Sequence, residues 1–254
     1  KLLGEPPGAG SMMLKEYLRT QGREAVAWYG GLGLLTAQVA RNLALPPSYL
    51  GLVARQIDTI GVRSVAVALT AALFTGMVFA LQSAVNMARF GAENYVGPVV
   101  ALSILRELGP VLTAILVGGK VASGITAELG SMKVTEQIDA LRAIGVNYVK
   151  RLVVPRIMAA LVVFPLVTIL ADGVGLFGGM LIVVFERDVD AYLYWNTIAY
   201  WVVMKDFVTG IAKSVVFGGL VTLIGCYNGL ATTGGTEGLG SSTTDTVVQV
   251  AMAV

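Results

Sequence analysis

Arg106 and Glu107 stand side by side, with twelve uncharged residues before them and twelve after. A guanidinium is a planar fork of donors that suits phosphate and carboxylate groups. A carboxylate accepts from cations and N–H groups. Neighbours at i and i+1 do not face each other on a helix, so the two cannot cancel. Each needs its own partner or water. Two readings stay open: a structural network of ion pairs between helices, or a polar edge of a cavity that holds a substrate headgroup. Glu107 points about 100° away from Arg106 around a helix. It is expected to hold a neighbouring helix, or to orient Arg106 through water, rather than to touch phosphate. Gly109 and Pro110 follow directly. Pro110 has no N–H to offer the carbonyl of Arg106 four residues back, so a local break is expected there.

Two more charges fall inside apolar runs. Lys120 lies further along the same run and can snorkel to an interface. Asp172 is followed by Gly173 and Gly175 and is a candidate partner for Arg106. Together Lys120 and Asp172 form a candidate intramembrane polar network. Histidine is absent, Cys226 is the only cysteine, and no Gly-Lys-Ser/Thr occurs. No catalytic residue and no metal ligand set is therefore assigned, and there is no Walker A loop to bind nucleotide.

The elements that carry these residues are membrane helices. The chain has 254 residues, 56% hydrophobic and only 13% charged, about half the charge of a soluble domain. Ser64 to Ala88 is uncharged over 25 residues and Ser214 to Thr236 over 23; a bilayer needs about 20. The net charge of +2 is too small for nucleic acid binding. The reading is all-α and polytopic: an N-terminal interfacial helix, then five transmembrane helices. Residues 1–60 form the tail and interfacial helices, and residues 61–254 the transmembrane domain.

The spans are expected at about Val62 to Val85, Tyr95 to Ala127, Leu152 to Phe185 and Phe207 to Ala231, with a last one from near Thr246 that is still apolar at Val254. Those nine residues reach only about 14 Å, so this span is expected to be truncated. The second and third are long enough to project beyond the bilayer. Arg106, eleven residues or about 16 Å after Tyr95, is near the midplane.

Before the spans, residues 1–13 read as a disordered tail. Leu14, Leu18, Ala25 and Trp28 share a face of a helix ending near Ala40, which either lies in the interface or packs on protein. "LPPSY" breaks it, and a short helix follows from Leu50 to Ile60. No signal-peptide pattern opens the chain at Lys1.

Loop charge sets orientation. Seven Lys/Arg in residues 1–63, and Lys133, Arg142, Lys150 and Arg151 in the loop from Glu128 to Arg151, place both on the inside. The loop from Glu186 to Asp206 carries four acids and five aromatics and is placed outside. Within the second inner loop, Thr135 to Ile144 is a compact amphipathic helix. Ile138, Leu141 and Ile144 form its apolar side; Glu136, Asp139 and Arg142 are polar, and Gly145 suits its C-terminal end. A helix held between two long spans can pass force from a soluble partner to both. Small-residue patterns at Gly175/Gly179 and Gly225/Gly229 fit either packing within the chain or a dimer seam.

"LRELGPVLTAILVGGKVASGITAELGSMKVTEQIDALRAIGV", with the later "AKSVVFGGLVTLIGCYNG" and "GTEGLGSSTTDTVV", resembles the MlaE/YrbE permease family over about Val62 to Val254. The resemblance implies the membrane subunit of an ABC transporter moving phospholipid between membranes. It implies a homodimer, a cytoplasmic ABC ATPase that binds the ATP and Mg, and an MCE-domain lipid-binding protein on the opposite side. It implies no enzyme activity and no cofactor of the chain's own. Arg106 and Glu107 carry the family's charged pair, and residues 135–145 its coupling helix, with Glu136, Asp139, Arg142 and Gly145 the coupling residues. The acidic, aromatic outer loop departs from the family pattern.

Leu73, Phe74, Val78 and Leu81 are expected to line an apolar lipid path beside Arg106 and Glu107. The location implied is a bacterial inner membrane, with the chloroplast inner envelope as the alternative that the non-Met start leaves open. An ion-coupled secondary transporter is the rival reading; its mark would be inverted repeats, and the Arg106 block is not repeated. An intramembrane hydrolase would need a nucleophile and base in reach, for which no motif is present.

Overall fold

The structure, a computed structural model, describes residues 9–43, 50–187 and 189–254. Eight helices follow in chain order: α1 Ala9–Leu43, α2 Gly51–Ala88, α3 Glu93–Val134, α4 Gln137–Ala143, α5 Val149–Glu186, α6 Ala191–Trp201, α7 Met204–Ala231 and α8 Gly235–Ala253. The described residues contain no strand. Four helices, α2, α3, α5 and α7, are long and apolar enough to cross a membrane. The chain is an all-α, multi-pass membrane protein.

Two expectations at the ends change. The last helix does not start near Thr246 but at Gly235, inside the stretch read as a loop. It lies along α3 and α7, with Thr246 and Val250 buried. Helix α1 starts at Ala9, within the expected tail. "LPPSY" and the side chains of Leu14, Leu18 and Ala25 lie outside the described residues. From Trp28 onward α1 packs on protein: Trp28 Nε1 donates to Asn228 Oδ1 at 3.1 Å, and Leu35 and Val39 are buried. Val26, Tyr29 and Leu34 stay exposed on its other side.

Long helices here are continuous because wide turns absorb local misfits. A π-turn at Asp58–Val62 joins the short N-terminal helix to the first span. Two more, Ile104–Leu108 and Thr113–Val117, interrupt α3 without breaking it. Such turns take i→i+5 bonds and recur at functional sites. The N–H of Gly109 reaches the carbonyl of Ile104, five residues back. The expected break at Gly109 and Pro110 is therefore a continuous helix, because the wider winding carries Pro110 without a clash.

Two cores fill the bundle. One gathers Leu35, Ile60, Val117, Phe164, Val221 and Val250 from six helices. The other holds Val100, Ile104, Leu176 and Val183 under Tyr194 and Ile198 of α6. Helix α6 falls in the outer loop. Asp190 caps it by accepting from Tyr192 N at 2.8 Å. Tyr194 is buried and donates to Leu176 O at 3.3 Å, whereas Tyr192, Trp195, Tyr200 and Trp201 are exposed.

Lipid tails are as apolar as the helices, so helix contact in a bilayer depends on close packing. Gly225 and Gly229 lie against Ala122 and Leu129 of α3, and Gly175 and Gly179 against α2, α3 and α6. Both small-residue patterns are thus seams within the chain. Near the charged turn, α7 meets the backbone of α3 at Gly210, where a Cβ would overlap the Leu105 carbonyl. Gly210→Ala should separate α7 from α3 and cost roughly 1–3 kcal/mol as overpacking. Gly173→Ala, with open space around it, should be neutral or slightly stabilising. Melting of both variants in detergent checks this; equal melting temperatures would show that the contact is not tight.

Candidate functional site

Helix α7 brings two charges to the α3 turn. Asp206 and Lys213 are seven residues apart, two turns on one face. Arg106 Nε donates to Asp206 Oδ1 at 2.7 Å, and Nη2 donates to the same oxygen. Lys213 Nζ donates to Glu107 Oε1 at 2.6 Å. Lys213 Nζ also donates to the Arg106 carbonyl at 3.0 Å. That is the carbonyl Pro110 cannot serve, so one ammonium meets both needs.

The two pairs differ in depth. Asp206 is buried, its side chain 4% exposed, and it also accepts from Val203 N at 3.1 Å. This carboxylate caps its own helix and anchors Arg106 at once. The Arg106 side chain is 52% exposed. Among the described residues no acceptor meets its Nη1. Glu107 is 66% exposed, so it does not sit in a deep network.

Asp172 is not the partner of Arg106. It lies against Gly109, buried, with Oδ1 unpartnered; Arg106 turns instead to the carboxylate on α7. Lys120 does not meet Asp172 either. Its Nζ donates to the Arg63 carbonyl on α2, about 21 Å along α3 from Arg106. Asp206 and Lys213 went unassigned in the sequence reading, because Asp206 was counted with the outer loop. Their seven-residue spacing and opposite signs, matching Arg106 and Glu107, were the available signal.

Phe74, Val78 and Leu81 are exposed along one stripe of α2. Leu73 is not with them; it packs on Gly178 of α5. Beside the stripe is a shallow apolar groove of about 20 Å³ between α2 and α3, floored by Ala171 and Gly175 and reaching Gly109. That is room for a water or two, so the groove is an open apolar crease between helices.

The second place of interest is α4, shorter than the expected 135–145. Ile138 is fully buried and pins it to the bundle. Glu136 takes the left-handed conformation, φ 59°, that turns the chain from α3 into α4. Gly145, φ 76°, ends the helix: its N–H reaches Arg142 O at 3.0 Å and that of Val146 reaches Leu141 O at 3.0 Å. These are the two bonds of a Schellman motif. Lys133 at the end of α3 donates to Asp139 at 2.7 Å. That hydrogen bond holds the Asp139 carboxyl below the usual carboxylate range. Arg142 lies 4.4 Å over the Tyr148 ring, just before α5. The helix is thus tied to both long spans. Ile144 does not join the apolar side; past the helix end it is 73% exposed.

The fold and this arrangement define a helical membrane transport subunit. Residues 53–254 match the family model described as Permease MlaE. The chain is 37% identical over 219 residues to a probable ABC transporter permease protein of Rickettsia felis, covering 86% of this chain and 85% of that one. It is 35% identical over 246 residues to the intermembrane phospholipid transport system permease protein MlaE of Haemophilus influenzae, covering 95% and 94%. It is 35% identical over 194 residues to protein TRIGALACTOSYLDIACYLGLYCEROL 1, chloroplastic, of Arabidopsis thaliana, covering 76% of this chain and 55% of that one. The chain belongs to the MlaE permease family. It is an ABC transporter permease rather than an enzyme.

The geometry separates the two pairs energetically. Asp206→Ala removes a helix cap and leaves Arg106 unpaired, and should cost roughly 3 kcal/mol. Glu107→Gln, at a more exposed pair, should cost less than about 1 kcal/mol. Unfolding in mixed detergent micelles measures both; similar losses would show that burial does not distinguish the pairs.

Proposed function

We propose that this permease moves phospholipid, and that Arg106 meets the lipid phosphate. One observation carries the reading. The guanidinium is fixed from behind by a buried carboxylate of α7, yet half of the side chain stays exposed in the middle of an apolar span. A central Arg in a bilayer costs about 2.5–3.5 kcal/mol. A structural pair would hide that charge; this one presents it. Phosphate takes two donors of a guanidinium, and the acyl chains keep to the groove and to the Phe74, Val78 and Leu81 stripe. The Haemophilus relative's name, a phospholipid transport permease, supports the substrate class.

In this reading a separate ABC ATPase binds ATP and Mg and docks on α4, on the side where loop charge is positive. An MCE-domain lipid-binding protein takes the opposite side, against the exposed aromatics of α6. Two copies of the chain pair, so that the open groove of each is closed by the other. The membrane is a bacterial inner membrane; the chloroplast-named relative supports the envelope alternative.

Arg106→Ala should cut lipid transfer by the reconstituted complex about tenfold or more, matching loss of a charge-assisted hydrogen bond. Arg106→Lys should restore only part, since a point charge replaces a fork. Normal transfer by Arg106→Ala, with the fold intact by melting, would make the residue structural.

Ile144 is the apolar side chain that α4 leaves for a partner. Ile144→Asp should weaken ATPase association about tenfold or more, as for a central interface residue, and leave permease melting unchanged. Undiminished co-purification of the ATPase would put its dock elsewhere.

A further inference from the structure

The cleft between α2 and α3 does not end at the apolar groove. Toward the positively charged side it opens into a pocket of about 200 Å³ lined by Gln56, Thr59, Arg63, Ser64, Lys120 and Glu128. Lys120 donates to the Arg63 backbone carbonyl, and both basic residues line the pocket. Glu128 is the acid there, and it is taken: Arg156 Nη2 reaches its Oε1 at 2.8 Å. Neither Arg63 nor Lys120 forms an ion pair among the described residues. The pocket therefore holds two positive charges without an ion pair, among hydroxyl and amide groups.

The groove continues directly from it. Residues 68–76 of α2 and 104–116 of α3 line the apolar part. Lys120 is one turn from Leu116, and Arg63 is 13 residues, about 20 Å, from Gly76. Half of a bilayer's hydrocarbon core is about 15 Å. A cationic mouth joined to an apolar run of that length is complementary to one amphiphile.

We infer that this cleft docks a glycerophospholipid of the positive-side leaflet, its phosphate on Arg63 and Lys120 and an acyl chain along the groove toward the Arg106 turn. The inference rests on the phospholipid reading above and adds a second phosphate position. Two phosphate positions about 21 Å apart on one helix fit a lipid that is received at one leaflet and held again at mid-depth.

The test uses the purified full chain in detergent, with a photoreactive residue at Ala71 in the groove. Phosphatidylglycerol, diacylglycerol of the same chain length and inorganic phosphate are titrated in turn. Phosphatidylglycerol should crosslink saturably. The Arg63→Gln/Lys120→Gln variant should need about ten times more lipid, and the charge-retaining Arg63→Lys/Lys120→Arg variant should bind like the parent. Diacylglycerol should crosslink weakly, and inorganic phosphate should not compete at matched concentration. Equal curves for parent and neutralised variant would overturn the inference. So would diacylglycerol binding as well as phosphatidylglycerol. Displacement by matched inorganic phosphate would make the site one for free anions and overturn the lipid assignment. A normal transfer rate in Arg106→Ala removes the transport reading and leaves this binding curve standing; a flat binding curve beside a failed Arg106→Ala removes the cleft alone.

Discussion

An ion in hydrocarbon must have a partner, and this constraint organises the bundle. Arg106 and Glu107 are adjacent in sequence and so cannot serve each other. Both are answered by one helix, α7, through Asp206 and Lys213. The answer requires α7 to lie almost on the backbone of α3, and Gly210 lets it do so. It also requires a carbonyl acceptor for Lys213, which Pro110 frees by having no N–H. The proline, the glycine and the four charges are one device. The members are not equal: removing Asp206 strips Arg106 of a buried partner, whereas Glu107 belongs to an exposed pair.

The same helix α3 carries that device at its middle and its contact with α4 at its end. Lys133 binds Asp139 of α4, and Arg142 of α4 covers Tyr148 ahead of α5. Arg156 of α5 returns to Glu128 of α3. A push on α4 thus reaches two spans that are also tied to each other. Because α3 passes through two π-turns on its way to the charges, it has places where winding can tighten by one residue. Conversion of a π-turn to an α-turn would rotate everything beyond it, Arg106 included.

Much of this was legible in the sequence. Four long apolar runs gave four spans, since length and charge exclusion are properties of single segments. The charged pair stood out for the same reason, and Gly145 marked the end of α4 because its backbone conformation is a local matter. The partner of Arg106 was not legible. Asp172 and Asp206 are both acids on other spans, and only the register of helix against helix decides between them. That register depends on where glycines permit contact, which no single segment reports. Helix α6 was missed because its eleven residues are too few for a span, and the start of α8 because its Gly, Ser and Thr give no apolar run. Ile144 was misplaced by one helical position, since the left-handed Gly145 stops the helix before its periodicity would carry Ile144 inward.

The exposure pattern of the charges distinguishes holding from handling. A group whose only task is to hold helices together gains from being covered, because a low dielectric strengthens its pairing. Asp206 follows that rule. Arg106 does not: its rear donors are fixed on Asp206 and about half of its side chain is left exposed. Arg63 and Lys120 repeat the arrangement nearer the interface, with their neighbouring acid already committed to Arg156. Asp206 covers one side of Arg106 only, and Glu128 pairs with Arg156 rather than with Arg63 or Lys120. A bilayer protein that exposes one face of a paired arginine at one depth and two cations without ion pairs at another offers a surface matched to a mobile anion with an apolar tail, which is the chemistry of the proposed phospholipid.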